Sequence, residues 1–254
     1  MVKTSKKHLV DSLRKLEENY GVAALKLSTE DEGLTHYILK HIFSLFSKTI
    51  PIILKIGGPE ARGDLSFAFN KGVKGFVAPM IESPFGLYKY VSMIESLGIP
   101  EDLIELSVNI ETKTAVSVLR DMTAYPYFKK LSRLNIGRGD LSRSLGENNV
   151  DTPRVDRAVK KIIDVAQESF IPFSIGGGVL PQKIERIIEK FNPPYFNTRN
   201  ILFLKKNVKD AKTSVQAALE WEINYLEYLK IIDKISYKIY DKRVKELIKR
   251  ITLK

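Results

Sequence analysis

Residues 135–146 read NIGRGDLSRSLG, an apolar pair that runs into glycines and then meets Asp140 and a polar stretch. An aspartate there can close a turn, cap a helix or hold a cation. A second carboxylate, Glu111, ends the earlier apolar run LIELSVNIE (103–111). Mg²⁺ and Mn²⁺ take oxygen ligands, and Mg²⁺ keeps waters and substrate oxygens in much of its octahedral shell, so two carboxylates from neighbouring strand ends form a workable pair. A cation on Glu111 and Asp140 could chelate a 2-keto acid through its carboxylate and keto oxygens, and could stabilise the enolate left when an adjacent C–C bond breaks. Lys55, at the end of PIILK (51–55), could neutralise the same oxygens. Each carboxylate also has a plainer reading. Asp140 suits a cap or turn, and Glu111 suits a helix start, where the dipole favours it.

Such a pair needs a scaffold that lines up strand ends. Leu9, Leu13 and Leu16 fall on one face of a helix over 7–20, followed by a strand VAALKLS (22–28) and the acidic turn TEDEG. The spacing then predicts helices over 34–47, 59–72, 84–97, 112–122, 153–169 and 181–190. Strands alternate with them at 51–58, 75–80, 103–111, 133–137, 171–178 and 195–201. Pro153 opens one helix after a cap at Asp151 or Thr152. Strands alternating with helices imply βα units and a parallel sheet. The expected fold is an α/β, TIM-type (β/α) barrel, with a doubly wound sheet as the other pattern. Only seven strands are readable, so the barrel is expected to be modified at the first strand, with the N-terminal helix replacing or covering the missing member. Residues 1–205 form the expected barrel and 206–254 a C-terminal helical extension, on which Trp221, Tyr225, Tyr228, Leu229 and Ile232 are spaced for packing.

Parallel βα folds bind ligands at the carboxyl ends of their strands. The residues there are Glu30, Asp31 and Glu32, then Lys55 with Gly57 and Gly58, then Glu82. Asn109 and Glu111 follow, then Arg138 and Asp140, Gly176 to Gly178, and Thr198 with Arg199. Carboxylates, cations and glycines on one rim suit a metal and an anionic small molecule. The glycine triplet either binds an anion through its amides or turns the chain; no GK[ST] follows it. His8, His36 and His41 lie in predicted helices and read as surface or packing residues.

Bulk composition narrows the partners. The 254 residues include no cysteine, which removes disulfides, thiol nucleophiles and cysteine-ligated metals. The charged N-terminus has no signal-peptide core, and no apolar run approaches the roughly 20 residues of a membrane helix, so a soluble cytoplasmic protein with no membrane partner is expected. The net charge of +11 is spread along the chain. That favours a basic surface or attraction for anionic substrates over nucleic-acid binding.

The motifs ILKIGGPEARGDL, GVKGFVAPMIESPFGL, VNIETKTAV and NIGRGDLSRSLG, in this order and spacing, resemble the HpcH/HpaI aldolase–citrate lyase family. The resemblance covers about residues 22–201 and is most specific in the last two motifs. It implies a TIM barrel of the phosphoenolpyruvate/pyruvate class that uses Mg²⁺ or Mn²⁺ to make or break C–C bonds beside pyruvate, or the corresponding bond of an acyl thioester. It implies Glu111 as the first metal carboxylate and Asp140 as the second. Asn109 stands where the aldolases carry a glutamine near the substrate. Gly137, Arg138 and Gly139 fall in the segment that lets pyruvate approach the backbone.

Two departures stand out. Lys55 occupies the place of an arginine that holds the pyruvyl oxygens, giving charge without the bidentate fork. The aspartate–histidine base is replaced by STEDEG (28–33), which leaves Glu30 or Glu32 as the acid–base group. The leading expectation is thus a metal-dependent carbon–carbon lyase or aldolase acting on a 2-keto acid or related acyl substrate. A Schiff-base aldolase using Lys55 or Lys26 and a non-catalytic ligand- or partner-binding barrel are the rivals. Self-association through the C-terminal helices is expected by analogy with other barrels.

Overall fold

Short β-branched runs separated by amphipathic stretches bury both faces of a sheet when the strands lie side by side and the helices cover the outside. The computed structural model, which describes residues 5–30 and 32–252, has this arrangement. Asp31 of the acidic turn lies outside the described residues. Eight strands close a barrel in chain order: β1 (Val22–Ser28), β2 (Ile52–Lys55), β3 (Gly75–Ala78), β4 (Glu105–Ile110), β5 (Arg133–Gly137), β6 (Phe173–Gly176), β7 (Tyr195–Asn197) and β8 (Ile201–Leu204). The helices are α1 (Lys6–Tyr20), α2 (His36–Phe46), α3 (Arg62–Phe69), α4 (Pro84–Ser96), α5 (Lys113–Met122), α6 (Arg138–Ser144), α7 (Pro153–Glu168), α8 (Ile184–Phe191), α9 (Ala211–Ile232) and α10 (Tyr237–Thr252). Thr152 caps α7 through its side chain, settling that choice against Asp151.

β1 to β7 run parallel, and the irregularity sits at the closing seam. β8 is antiparallel to both β7 and β1, and its pairing with β1 shifts register between Val22 and Ala24. The segment expected as one strand, 195–201, is β7, a turn at 198–200 and the first residue of β8. A hairpin closes with a short turn, whereas a parallel eighth strand needs a crossover of a dozen or more residues. The reversed strand is therefore β8; β1 keeps ordinary parallel pairing with β2 from Leu25 to Ser28.

Register determines which residues line the bore. Ala24, Ile53, Val77 and Leu202 form a small apolar cluster apart from the main core. Along each strand the residues two positions further on share that face. Pairing of Lys26 with Ile53, Ser28 with Lys55, Val77 with Ser107 and Asn109 with Asn135 carries the inward face around the barrel. Lys26, Lys55, Asn109, Asn135 and Gly137 therefore all face the bore. Arg133 closes its lower end, paired with Glu105 at 3.0 Å and stacked over Tyr195.

The chain beyond β8 is continuous with this core. α9 packs on α1 and buries Val215, Ala218, Leu219, Trp221 and Tyr225; the Trp221 and Tyr225 rings meet Phe46 of α2, and the indole N–H of Trp221 donates to the Leu9 carbonyl at 3.1 Å. One hydrophobic cluster extends from Leu9 to Val244. Among the described residues no helix is long and apolar enough to cross a membrane.

The buried carboxylate of Glu222 on α9 accepts from the Thr198 hydroxyl at 2.6 Å and from the Asn200 backbone N–H at 2.8 Å. Asn200 in turn donates its side-chain amide to Glu32 at 2.5 Å and to the Lys26 carbonyl at 3.0 Å. α9 thus fixes the β7–β8 turn and, through it, the loop after β1. Glu222→Ala would leave the buried Asn200 N–H without its acceptor and the Thr198 hydroxyl with only the Ile201 carbonyl at 3.4 Å. A loss of about 3 kcal/mol in unfolding free energy is expected, measured by urea titration. An unchanged midpoint would show that the turn holds itself.

Candidate active site at the carboxyl ends of the strands

Glu111 is the best-defined group on the rim. It follows β4, is 3% exposed, and has both oxygens oriented. One accepts the Met80 backbone N–H at 3.2 Å, and the other accepts the Asn109 side-chain amide at 3.1 Å. Met80 adopts φ +54°, an unusual value for a residue with a side chain, in the turn that aims its N–H at Glu111. On the neighbouring strand, a Cβ on Gly137 would lie 2.6 Å from the Glu111 carboxylate. The missing side chain of Gly137 is the space that Glu111 fills, so this glycine serves the carboxylate directly.

Asp140 lies in the first turn of α6, just after β5, and is paired with Arg143. Its charge reaches Glu111. Burial raises the Glu111 pKa first, and repulsion from Asp140 adds to it, while Lys55, Asn109 and the Met80 N–H oppose the shift. Two carboxylates that push against each other, one of them buried, make a site that a divalent cation would relieve. Among the described residues no group of three or more acidic or histidine side chains is arranged for a metal. Glu111 and Asp140 with waters and substrate oxygens fit the Mg²⁺ habit of one or two protein carboxylates. They are the residues that would hold such an ion.

Lys55 faces the same space at 12% side-chain exposure and pairs with Glu30 at 2.7 Å. Lys26 lies deeper on β1. Burial, reinforced by the neighbouring Lys55, lowers its pKa to about 8, against opposing pulls from Glu111 and Glu32. Glu32 is placed differently from the acid–base role expected of it. It is buried and accepts from the Ser28 N–H at 3.2 Å and from Asn200, so it braces the loop. Glu30 stays at the surface beside Lys55.

Arg138 also takes up a bracing position. Its guanidinium is fully buried, donating twice to the Gly177 carbonyl at 2.7 and 3.0 Å and to Asp151 at 3.1 Å. These bonds tie the end of β5 to the loop after β6. A Cβ on Gly177, which has φ +79°, would lie 2.5 Å from the Gly139 nitrogen. The glycine at 177 therefore lets two loop backbones touch, which favours chain-turning over anion capture for this part of the triplet.

Sequence reading missed one pair. The His36 ring nitrogen Nε2 lies 2.9 Å from Asp64, while the other Asp64 oxygen accepts the Thr29 hydroxyl at 2.5 Å and the Gly57 N–H at 2.9 Å. His36 also stacks on Phe67. The two residues stand 28 apart in sequence, one at the start of α2 and the other in α3, so only the fold brings them together.

No protein-family model matches the sequence, and no curated protein matches it. Solved structures do. An HpcH/HpaI aldolase/citrate lyase family protein from Burkholderia cenocepacia J2315 superimposes with a TM-score of 0.63 at 14% identity, covering 78% of this chain and 84% of that one. An HpcH/HpaI aldolase from Desulfitobacterium hafniense DCB-2 gives 0.62 at 16% identity, over 75% and 81% of the two chains. The citrate synthase SbnG gives 0.59 at 15%, over 77% and 82%. The fold implied by the sequence motifs is the fold these structures share.

Arg138→Met tests the bracing assignment. It is expected to lower unfolding free energy by about 3 kcal/mol, because Asp151 and the Gly177 carbonyl lose a buried charged partner. Unchanged stability with loss of ligand affinity would instead return Arg138 to the substrate.

Proposed function

We propose that this protein is a divalent-metal-dependent carbon–carbon lyase or aldolase acting on a 2-keto acid or a related acyl substrate. The observation that carries the reading is the buried Glu111, oriented by Met80 and Asn109 and set against Asp140 with Lys55 opposite. The names of the structures with this fold, aldolase, citrate lyase and citrate synthase, support bond making or breaking between carbons.

A Mg²⁺ or Mn²⁺ ion on Glu111 and Asp140 would supply Lewis acidity to a carbonyl oxygen. The chain's own residues do the rest. Asn109 and the Met80 N–H fix the direction of the Glu111 lone pairs. Lys55 places positive charge where negative charge develops on the substrate oxygens. Burial of the bore keeps that attraction unscreened. Proton transfer falls to Glu30 beside Lys55, or to His36, whose ring Asp64 orients in the manner of a general base. Self-association is part of the same reading, supported by the exposed Ile231, Ile235 and Ile239 near the junction of α9 and α10.

A Schiff-base route has one observation in its favour, the lowered pKa of Lys26. Borohydride trapping of substrate on the enzyme in the presence of EDTA would establish it.

Metal binding is the test. Titration with Mn²⁺ followed by electron paramagnetic resonance should show one site in the native protein. Glu111→Ala and Asp140→Ala should each weaken it at least about tenfold, with the circular dichroism spectrum unchanged. A tight stoichiometric site retained in both variants would overturn the assignment.

A further inference from the structure

We infer that the outer face of α10 is a docking surface for an anionic lipid bilayer, held by a row of lysines with apolar side chains along one edge. This contact lies outside the strand-end site and does not depend on the chemistry proposed there.

α10 reads YKIYDKRVKELIKRIT and carries six lysines and arginines against Asp241 and Glu246. Tyr240 and Val244 are buried, and Leu247 and Ile251 pack on the same core, so one face of the helix points inward. Lys238, Lys242, Lys245 and Lys249 follow at steps of four, three and four residues, which sets them in one row on the opposite face. All four are exposed. Lys245 pairs with Asp241 at 2.7 Å, an acid that Lys230 of α9 also holds at 2.9 Å. Lys238, Lys242 and Lys249 form no ion pair with any described residue. Tyr237 and Ile248 line one edge of the row and are 42% and 46% exposed.

Lysines three and four residues apart repel each other and oppose the helix, which its packed face must hold. An anionic surface relieves that repulsion. The row is about 16 Å long, too long for one small anion and long enough to meet several headgroups. Each lysine near an anionic leaflet adds attraction, and a helix with four to eight basic residues is the size of cluster that such a surface holds. Tyr237 and Ile248 can enter the layer between headgroups and acyl chains, a contact that a nucleic-acid backbone does not offer. A two-fold contact between copies would set the row against itself, lysine facing lysine, so a second chain is a poor occupant of this face. Ile239, part of the self-association surface, falls on the other edge of the row, and the two contacts are compatible. The expectation of no membrane partner concerned spanning and signal segments, which a helix lying on a bilayer does not need.

The experiment is co-sedimentation of the full chain with vesicles of phosphatidylcholine and phosphatidylserine in roughly equal parts, with pure phosphatidylcholine vesicles as the reference. Binding to the anionic vesicles alone, weakening as salt rises, is expected. Lys238→Gln, Lys242→Gln, Lys245→Gln and Lys249→Gln combined should lower it at least about a hundredfold, with the thermal unfolding midpoint not lowered. Lys40→Gln, Lys71→Gln, Lys129→Gln and Lys161→Gln combined remove the same charge from exposed sites elsewhere and should leave binding within about threefold. Equal losses in the two fourfold variants overturn the inference and assign the attraction to net charge. Absence of binding by the native protein also overturns it, and dissociation of an oligomer by the α10 variant would then give the face to a second copy. Capture of single-stranded RNA in place of the vesicles, lost in the α10 variant, would overturn it in favour of nucleic acid.

Discussion

The site depends on one buried carboxylate being kept in place. Glu111 sits where water is largely excluded, and burial and Asp140 both work against its charge. It is held by an N–H from a strained turn at Met80, an amide from Asn109 two residues earlier, and a gap left by Gly137 on the next strand. These three supports come from β3, β4 and β5, so the geometry exists only when the strands are in register. The parallel pairing of β3, β4 and β5 is thus also what holds the carboxylate in place.

The other side of the rim is held differently. β8 runs against its neighbours, and its hairpin with β7 brings Asn200 over the end of β1. Glu222 secures that turn from α9, and Glu32 secures the following loop from below. The helices beyond residue 205 therefore matter to the rim even though none of their side chains has been assigned to the chemistry. Several polar groups spend their hydrogen bonds on this bracing. Lys55, paired with Glu30, and Lys26 face the bore above Arg133.

Much of the fold was legible from the sequence because its signals are local. The β-branched runs ended by glycine marked β2 and β6, and the leucine spacing marked α1. β8 was not legible, because FNTRNILF reads as one extended run, and neither face of the hairpin alternates strongly enough to show the reversal. The carboxylate pair was readable at the strand ends, and the motifs around Glu111 and Asp140 strengthened it. The bracing roles of Arg138 and Glu32 were not, since a charged residue at a strand end looks the same whether it meets a ligand or a backbone carbonyl. His36 and Asp64 were missed for a related reason: a histidine opening one helix and an aspartate in another carry no mutual signal until the loops after β1 and β2 meet.

The most direct measurement is exchange of solvent deuterium into the methyl group of pyruvate, followed by nuclear magnetic resonance. It reports enolate formation without knowledge of the second substrate. Exchange that requires Mg²⁺ or Mn²⁺, stops with EDTA, and is lost in Glu111→Gln is the expected result. Exchange that continues in EDTA or in that variant, or no exchange by a protein with the cation bound, would contradict a carboxylate-held metal as the centre of the chemistry.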